Sequence, residues 1–411
     1  MQITFMPEEE VTFFEEDEDQ EIESDSRITH KSELEEIQKI VVAGSDWTTA
    51  TILDQMVRKN IQLNPRFQRR DAWDITRKSR FIESLILGFP VPQIVLAAQK
   101  ERGKFIVLDG KQRLLTILQF YGESETPNNA FALKNLEFIT DMNGSTYENL
   151  RGQLFLHKEL DNLDNQTIRT IAVRNVDTEN FLYKIFLRLN VQSTPLSAQE
   201  LRQALHPGDF INFLDDQSIK SQALKKIFKS PNPDFRMRDV ELLLRYVGFH
   251  YFISEYRGNL KAFLDETCKR LNKDWDQRHD DIENVVNEFE KAVDTTINIF
   301  QEKNFCRMWL NHENTYRRRF NKAILDVMVF YFSDEIIRQS SEQNKEKVEA
   351  AFKKLCSSNT KFREGVEGTT KNIRETYNRL RWWGESLLEV LDVEFNLPEF
   401  IDNRIVFNGL R

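Results

Sequence analysis

The chain has 411 residues, of which 40% are hydrophobic and 30% charged, with a formal net charge of -9. That length exceeds what one ordinary core serves, so at least two domains are expected, and 31 Phe supply ample interior. No run approaches the ~20 apolar residues that span a bilayer, and the first residues have neither the basic nor the apolar region of a secretory signal. Three cysteines, Cys268, Cys306 and Cys356, lie far apart with no C-x-x-C pair. The expectation is a soluble, cytoplasmic protein without disulfides, structural zinc or a membrane partner.

The net charge is unevenly placed. Residues 1–26 hold eleven acidic side chains and no Lys or Arg. Without them, 57 basic residues face 55 acidic ones, a balance of +2, so the folded part can carry local basic patches. The tail reads as a solvated segment, or as an internal mimic of nucleic acid docked through Phe13 and Phe14.

In chain order, residues 27–44 read as a linker or short helix. Thr48 or Thr49 caps a helix to about Arg58, with Ile52, Leu53, Met56 and Val57 on one face. Ile61-Gln62-Leu63 is a short strand stopped by Asn64-Pro65. Asp74 caps a helix over 75–87 with Phe81, Ile82, Leu85 and Ile86 inward, and Gly88 ends it. Gln93–Ala98 and Phe105–Leu108 are strands, antiparallel across the turn at 101–104. Asp109-Gly110 then opens a helix whose core residues are Leu114, Leu115, Ile117, Leu118 and Phe120. Ile171–Val173 is a strand, residues 178–189 a helix, and Ser197-Ala198-Gln199-Glu200 a capping box. From about residue 206 only helical periodicity is legible, as in Val240–Tyr251, Phe289–Phe300, Ala323–Phe332 and Trp382–Leu391. The fold class is α+β: residues 1–44 are tail and linker, 45–205 a mixed domain, and 206–411 an all-α domain.

The chemistry centres on Asp109-Gly110-Lys111-Gln112-Arg113. A helix N-terminus presents unpaired backbone N–H groups and a partial positive charge, and a preceding glycine lets a phosphate approach closely. Arg113 adds a fork of donors, Gln112 orients a water or a base edge, and Asp109 is the candidate magnesium ligand or base. The structural alternative is a strand-to-helix corner in which Asp109 caps the helix and pairs with Arg113. A second cluster, Arg66, Gln68, Arg69 and Arg70 followed by Trp73, interleaves basic and aromatic residues as phosphate- and base-binding segments do. Arg188 and Asn190 form a third group at a helix end. Arg317, Arg318 and Arg319 are candidate contacts to nucleic-acid phosphates.

Four motifs stand in order: Asn64-Pro-x-Phe-Gln-Arg with Trp73; Phe81-Ile-Glu-Ser-Leu-Ile-Leu-Gly88 with Pro90 and Pro92; Asp109-Gly-x-Gln-Arg-Leu; and Arg188-Leu-Asn with Leu196-Ser-x-x-Glu-Leu201. Together they resemble the N-terminal domain of GmrSD-type modification-dependent restriction proteins over about residues 45–205. Arg236-Met-Arg-Asp-Val-Glu241 and Arg317-Arg-Arg-Phe-Asn321 resemble the helical region that follows it. The resemblance implies a ParB/sulfiredoxin-like fold and nucleotide binding, with NTP hydrolysis in some members, in antiphage defence. By motif, it carries binding or catalysis onto Gln68, Arg69, Asp109, Gly110, Gln112 and Arg113. Lys111 stands where glutamine is typical, which puts a water-orienting role there in doubt and leaves a phosphate contact open. The implied cofactors are Mg2+ and a nucleoside triphosphate. The implied partners are DNA and a protein supplying nuclease or effector activity, and the resemblance admits a homodimer.

Relatives often carry a His-Asn-His nuclease domain, but the six histidines (His30, His157, His206, His250, His279, His312) are scattered, so none is expected here. His312 reads as a helix-surface residue. There is no G-x-x-x-x-G-K-[ST] loop. Asp109-Gly110-Lys111 also fits half of a metal-dependent nuclease signature, with Asp71, Asp74 or Glu83 upstream. Three functions therefore compete: a nucleotide-binding, hydrolysing module; a non-catalytic nucleic-acid or partner-binding module; and a metal-dependent DNA nickase.

Overall fold

The computed structural model describes residues 40–62, 73–99, 101, 103–123, 130–153, 157–175, 185, 197–367 and 372–407. The described chain divides into two compact units, one made of 40–205 with 235–238 and the other of 206–234 with 239–407. The architecture is α+β, with a five-stranded sheet in the first unit and a predominantly helical second unit.

The first unit runs β1 (Val41–Thr48), α1 (Thr49–Val57), β2 (Ile61–Gln62), α2 (Ile75–Ile86), β3 (Ile94–Ala98), β4 (Phe105–Asp109), α3 (Lys111–Phe120), α4 (Tyr147–Arg151), α5 (His157–Asn165), β5 (Thr167–Arg174) and α6 (Ala198–Leu205). The sheet order is β1-β5-β3-β4-β2. β1 lies antiparallel to β5, β5 parallel to β3, β3 antiparallel to β4, and β4 parallel to β2. The helix starts follow local chemistry. The Thr48 side chain accepts the Thr51 N–H at 3.1 Å, and Asp74 accepts that of Arg77 at 2.7 Å, each satisfying an orphan donor of the first turn.

Strand side chains alternate between two layers. Ile94, Leu96, Phe105 and Val107 meet Ile52 and Met56 of α1, Phe81, Ile82, Leu85 and Ile86 of α2, and Leu114, Ile117 and Leu118 of α3 in the main core. Val95, Ala97, Leu108 and Val173 form a smaller cluster on the other face with Ile171, Ile185 and Leu205.

The expected linker or helix before residue 45 is corrected from Val41 onward. Residues 41–48 are a strand, made by pairing with a segment more than a hundred positions away, as in Val42↔Val173 and Trp47↔Ile168. Its side chains are mostly exposed, so it has no buried periodicity to read. The helix expected over 178–189 lies outside the described residues except for Ile185, which is helical.

Glu83 of α2 ties an irregular segment to the core. Its carboxylate accepts the backbone N–H groups of Glu137 (3.1 Å), Phe138 (2.7 Å) and Ile139 (3.0 Å). Burial alone pushes this carboxyl up, but those three N–H groups and the Arg80 guanidinium outweigh it and hold the group below its ordinary value of 4.5.

The second unit contains α7 (Asp209–Lys220), α8 (Gln222–Phe228), α9 (Arg238–Phe252, from Asp239 onward), α10 (Leu260–Lys273), α11 (Trp275–Phe300), α12 (Lys322–Phe332), α13 (Glu335–Gln343), α14 (Lys345–Ser358), α15 (Thr360–Glu367) and α16 (Ile373–Val390). Phe289, Phe300, Phe332, Phe352 and Trp383 are fully buried there. The all-helical expectation is corrected at two hairpins: β6 (Trp309–Leu310) with β7 (Thr315–Tyr316), and β8 (Pro398–Ile401) with β9 (Arg404–Phe407). The second turns through Asp402 and Asn403, both left-handed at φ 49° and 57°, the geometry a two-residue hairpin needs. The core holds a charge cluster. Asp326 of α12 receives Arg245 of α9 through two bonds, 2.5 and 3.3 Å, and Arg379 of α16 at 3.5 Å. Among the described residues, no helix is long and apolar enough to cross a membrane.

Two outcomes follow from these buried carboxylates. Because the folded-state value of Glu83 is depressed, its contribution to stability is complete above about pH 4.5 and is lost as pH falls through the lower folded value. Glu83→Gln therefore lowers unfolding free energy by about 1–3 kcal/mol at neutral pH and flattens the acid limb of a melting-temperature profile. An unchanged acid limb removes this role. Asp326→Asn strands two buried guanidinium groups and costs about 3–5 kcal/mol in urea unfolding; a loss under about 1 kcal/mol, the range of an exposed pair, contradicts the assigned role of the cluster.

Candidate functional site

The site is built where β4 ends. β3 and β4 shift register between Val95 and Leu96, with Val95 opposite Asp109 and Leu96 opposite Val107. Irregularities of this kind re-aim the side chain beside them. Gly110 then takes φ 97° and ψ 10° as the N-cap of α3 and supplies no side-chain cap. This left-handed conformation disfavours residues with a Cβ. A Cβ on Gly110 would also lie 3.0 Å from Cγ1 of Ile94 and 3.2 Å from Nη2 of Arg113.

Asp109 and Arg113 close over this glycine. Oδ1 of Asp109 accepts the Gly110 N–H at 2.7 Å, and Oδ2 accepts Nη2 of Arg113 at 3.1 Å. The same Nη2 donates to the carbonyl of Gln93 at 2.9 Å. Arg113 is buried, and its Nε has no hydrogen-bond partner among the described residues. Of the five motif residues, Asp109 and Gln112 are half-buried, whereas Gly110, Lys111 and Arg113 are buried.

Lys111 is occupied differently. Its ammonium group pairs with Oε1 of Glu200 on α6, both side chains being buried. Oε2 of Glu200 accepts the Ser197 N–H at 2.7 Å, while Oγ of Ser197 accepts the Glu200 N–H at 3.1 Å. The Ser-x-x-Glu box therefore exists as read from the sequence. Its glutamate also receives the lysine that follows the glycine, a role that sequence spacing does not signal across 89 positions. Gln93 was missed for a simpler reason: only its backbone oxygen takes part.

Trp73 packs on the main core, edge-on to Phe81 at 5.7 Å between ring centroids, with the Arg77 guanidinium 4.7 Å from its own centroid. Arg66, Gln68, Arg69, Arg70, Arg188 and Asn190 lie outside the described residues. Arg317, Arg318 and Arg319 belong to the second unit and are exposed after β7, with Arg317 paired to Glu367 at 2.5 Å. His312 is not on a helix surface. It sits in the β6–β7 turn, exposed, 3.0 Å from the Glu313 carboxylate.

Among the described residues, no three His, Cys, Asp or Glu side chains converge as a metal cage. Asp109 is one carboxylate with both oxygens already accepting, though each retains further lone-pair capacity. That donor set fits Mg2+ carried mainly by phosphate oxygens and water, and does not fit an ion held by protein alone.

A protein-family model described as the GmrSD restriction endonuclease, N-terminal domain, matches residues 51–207. No curated protein matches the chain, and no solved structure does. The match spans α1 through α6 and includes the whole corner from Asp109 to Arg113 with its Glu200 support. Residues 51–207 of this chain are a domain of the GmrSD restriction endonuclease N-terminal family.

Proposed function

We propose that this domain, with a ParB/sulfiredoxin-like fold, binds and hydrolyses a nucleoside triphosphate in a cytoplasmic antiphage restriction system. One observation carries the reading. The Arg113 guanidinium lies against Gly110 at the opening of α3, fixed by Asp109 and Gln93, with a buried Nε that has no partner. A phosphate oxygen over the glycine supplies that missing acceptor, and the amides and dipole of the first helical turn add to its attraction.

Within this reading, Gln112 orients the attacking water and Asp109 holds Gly110 and Arg113 in register. Lys111 supports α6 through Glu200 and leaves phosphate contact to others. Gln68, Arg69, Trp73, Arg188 and Asn190 are the proposed remaining nucleotide contacts, and Arg66, Arg70 and Arg317–Arg319 the contacts to DNA. Asp109 would be the protein ligand of a magnesium ion, which would supply neutralisation of phosphate charge. The nuclease or effector step falls to a protein partner. A non-catalytic binding module is the second reading, favoured by the mutual engagement of Asp109 and Arg113.

The test is phosphate release by the purified chain with each of the four NTPs and Mg2+. Arg113→Lys keeps a charge but loses the fork, and lowers release by about 10²-fold or more. Unchanged turnover removes Arg113 from the site, and binding without any release in the native chain selects the second reading. Gly110→Ala lowers the melting temperature and weakens nucleotide binding together, because the added Cβ strains the left-handed turn and displaces the guanidinium. Full nucleotide affinity in that variant contradicts the proposed seat.

A further inference from the structure

α6 is an unusual helix for its place in the fold. Ser197 and five consecutive helical positions, Gln199 to Gln203, are buried, and only Leu201 among those five is apolar. Glu200 is satisfied by Ser197 and Lys111. Oε1 of Gln199 accepts from Nη1 of Arg202 at 2.5 Å. Among the described residues, Nε2 of Gln199 and both amide atoms of Gln203 have no hydrogen-bond partner, although the two residues are 0% and 1% exposed.

An amide buried without a partner is a standing cost, and a leucine or methionine of similar volume would avoid it. Gln199 and Gln203 are four apart, so they share one face of the helix. Between them stands Glu200, whose carboxylate holds the first residue of α3. The Gln203 amide and the free Nε2 of Gln199 are thus tied, by one ion pair, to the helix end assigned to phosphate.

We propose that Gln199 and Gln203 read the base of the nucleotide whose phosphates sit over Gly110. A glutamine amide offers one donor side and one acceptor side, the pattern that pairs with a nucleobase edge. A base edge, unlike a second phosphate, uses both sides, and Gln203 has both uncommitted. The inference rests on the phosphate reading of the Gly110 corner and adds to it the source of base preference.

The experiment measures binding of the full chain to ATP, GTP, CTP, UTP and inorganic tripolyphosphate, each with Mg2+, in native protein, Gln203→Met and Gln199→Met. The native chain is expected to prefer one base by about tenfold or more. Gln203→Met is expected to reduce that preference to about threefold or less while leaving tripolyphosphate affinity unchanged. Gln199→Met gives a smaller loss in the same direction and serves if the first variant does not fold. A folded Gln203→Met that keeps the native preference overturns the proposal, and so does a native chain that binds all four nucleotides no better than tripolyphosphate. Both of those outcomes leave the phosphate site standing. A native chain that binds neither nucleotide nor tripolyphosphate removes the phosphate site, and the base-reading role with it.

Discussion

The first unit turns on a single backbone requirement, the left-handed Gly110 between β4 and α3. Because the chain bends there with φ 97°, α3 starts immediately after the end of β4. The bend also leaves room for the Arg113 side chain to fold back across the glycine, a space that a Cβ would fill. From that position one guanidinium nitrogen reaches both the Gln93 carbonyl before β3 and the Asp109 carboxylate at the end of β4. The register shift between Val95 and Leu96 lies at the same point, so strand pairing, helix start and side-chain geometry are fixed by one corner.

That corner is nearly neutral by construction. Arg113 is balanced by Asp109, and Lys111 by Glu200. In the proposed reading, the attraction for an anion therefore comes from backbone amides, the helix dipole and the remaining guanidinium donor. A helix terminus contributes only about 0.3–1 kcal/mol when exposed and about 2 kcal/mol when partly buried. Micromolar affinity requires about 8 kcal/mol. In the proposed nucleotide site the corner alone would fall well short, so its part there is to set position while other donors supply most of the binding. The proposal assigns that supply to the basic run at 66–70.

What was legible in the sequence was local. Thr48, Asp74 and Ser197 announced their helices because caps act within three residues. β3 and β4 were readable because each is an apolar run bounded by turn residues. β1 was not, since Val41 and Val42 are exposed and the strand exists only through its pairing with β5. The β8–β9 hairpin carried a usable signal, Asp402-Asn403 with Phe400-Ile401 before it and Ile405-Val406 one residue after it, past the end of the last helix. Within the motif, sequence pointed to a glycine-opened helix start, which the left-handed Gly110 forms, but could not reveal that Lys111 is turned to Glu200. A pair separated by 89 positions leaves no local trace.

The two units also show why buried polarity alone does not mark a binding site. Arg379 in the second unit is as deeply buried as Gln203, and its Nε likewise has no partner. Yet its guanidinium is anchored at Asp326 and at the Gly365 carbonyl, 3.3 Å away, so it joins α16 to α12 and to α15. One idle nitrogen on a group that already links three helices is the residue of imperfect packing geometry. Gln203 links none of the described residues, since neither end of its amide is engaged there. A side chain that contributes no internal bond, yet is polar at a position an apolar residue would fill at lower cost, has no structural reason for its chemistry. The proposal places that reason in the bound nucleotide, on the side of the Glu200–Lys111 pair that leads back to Gly110.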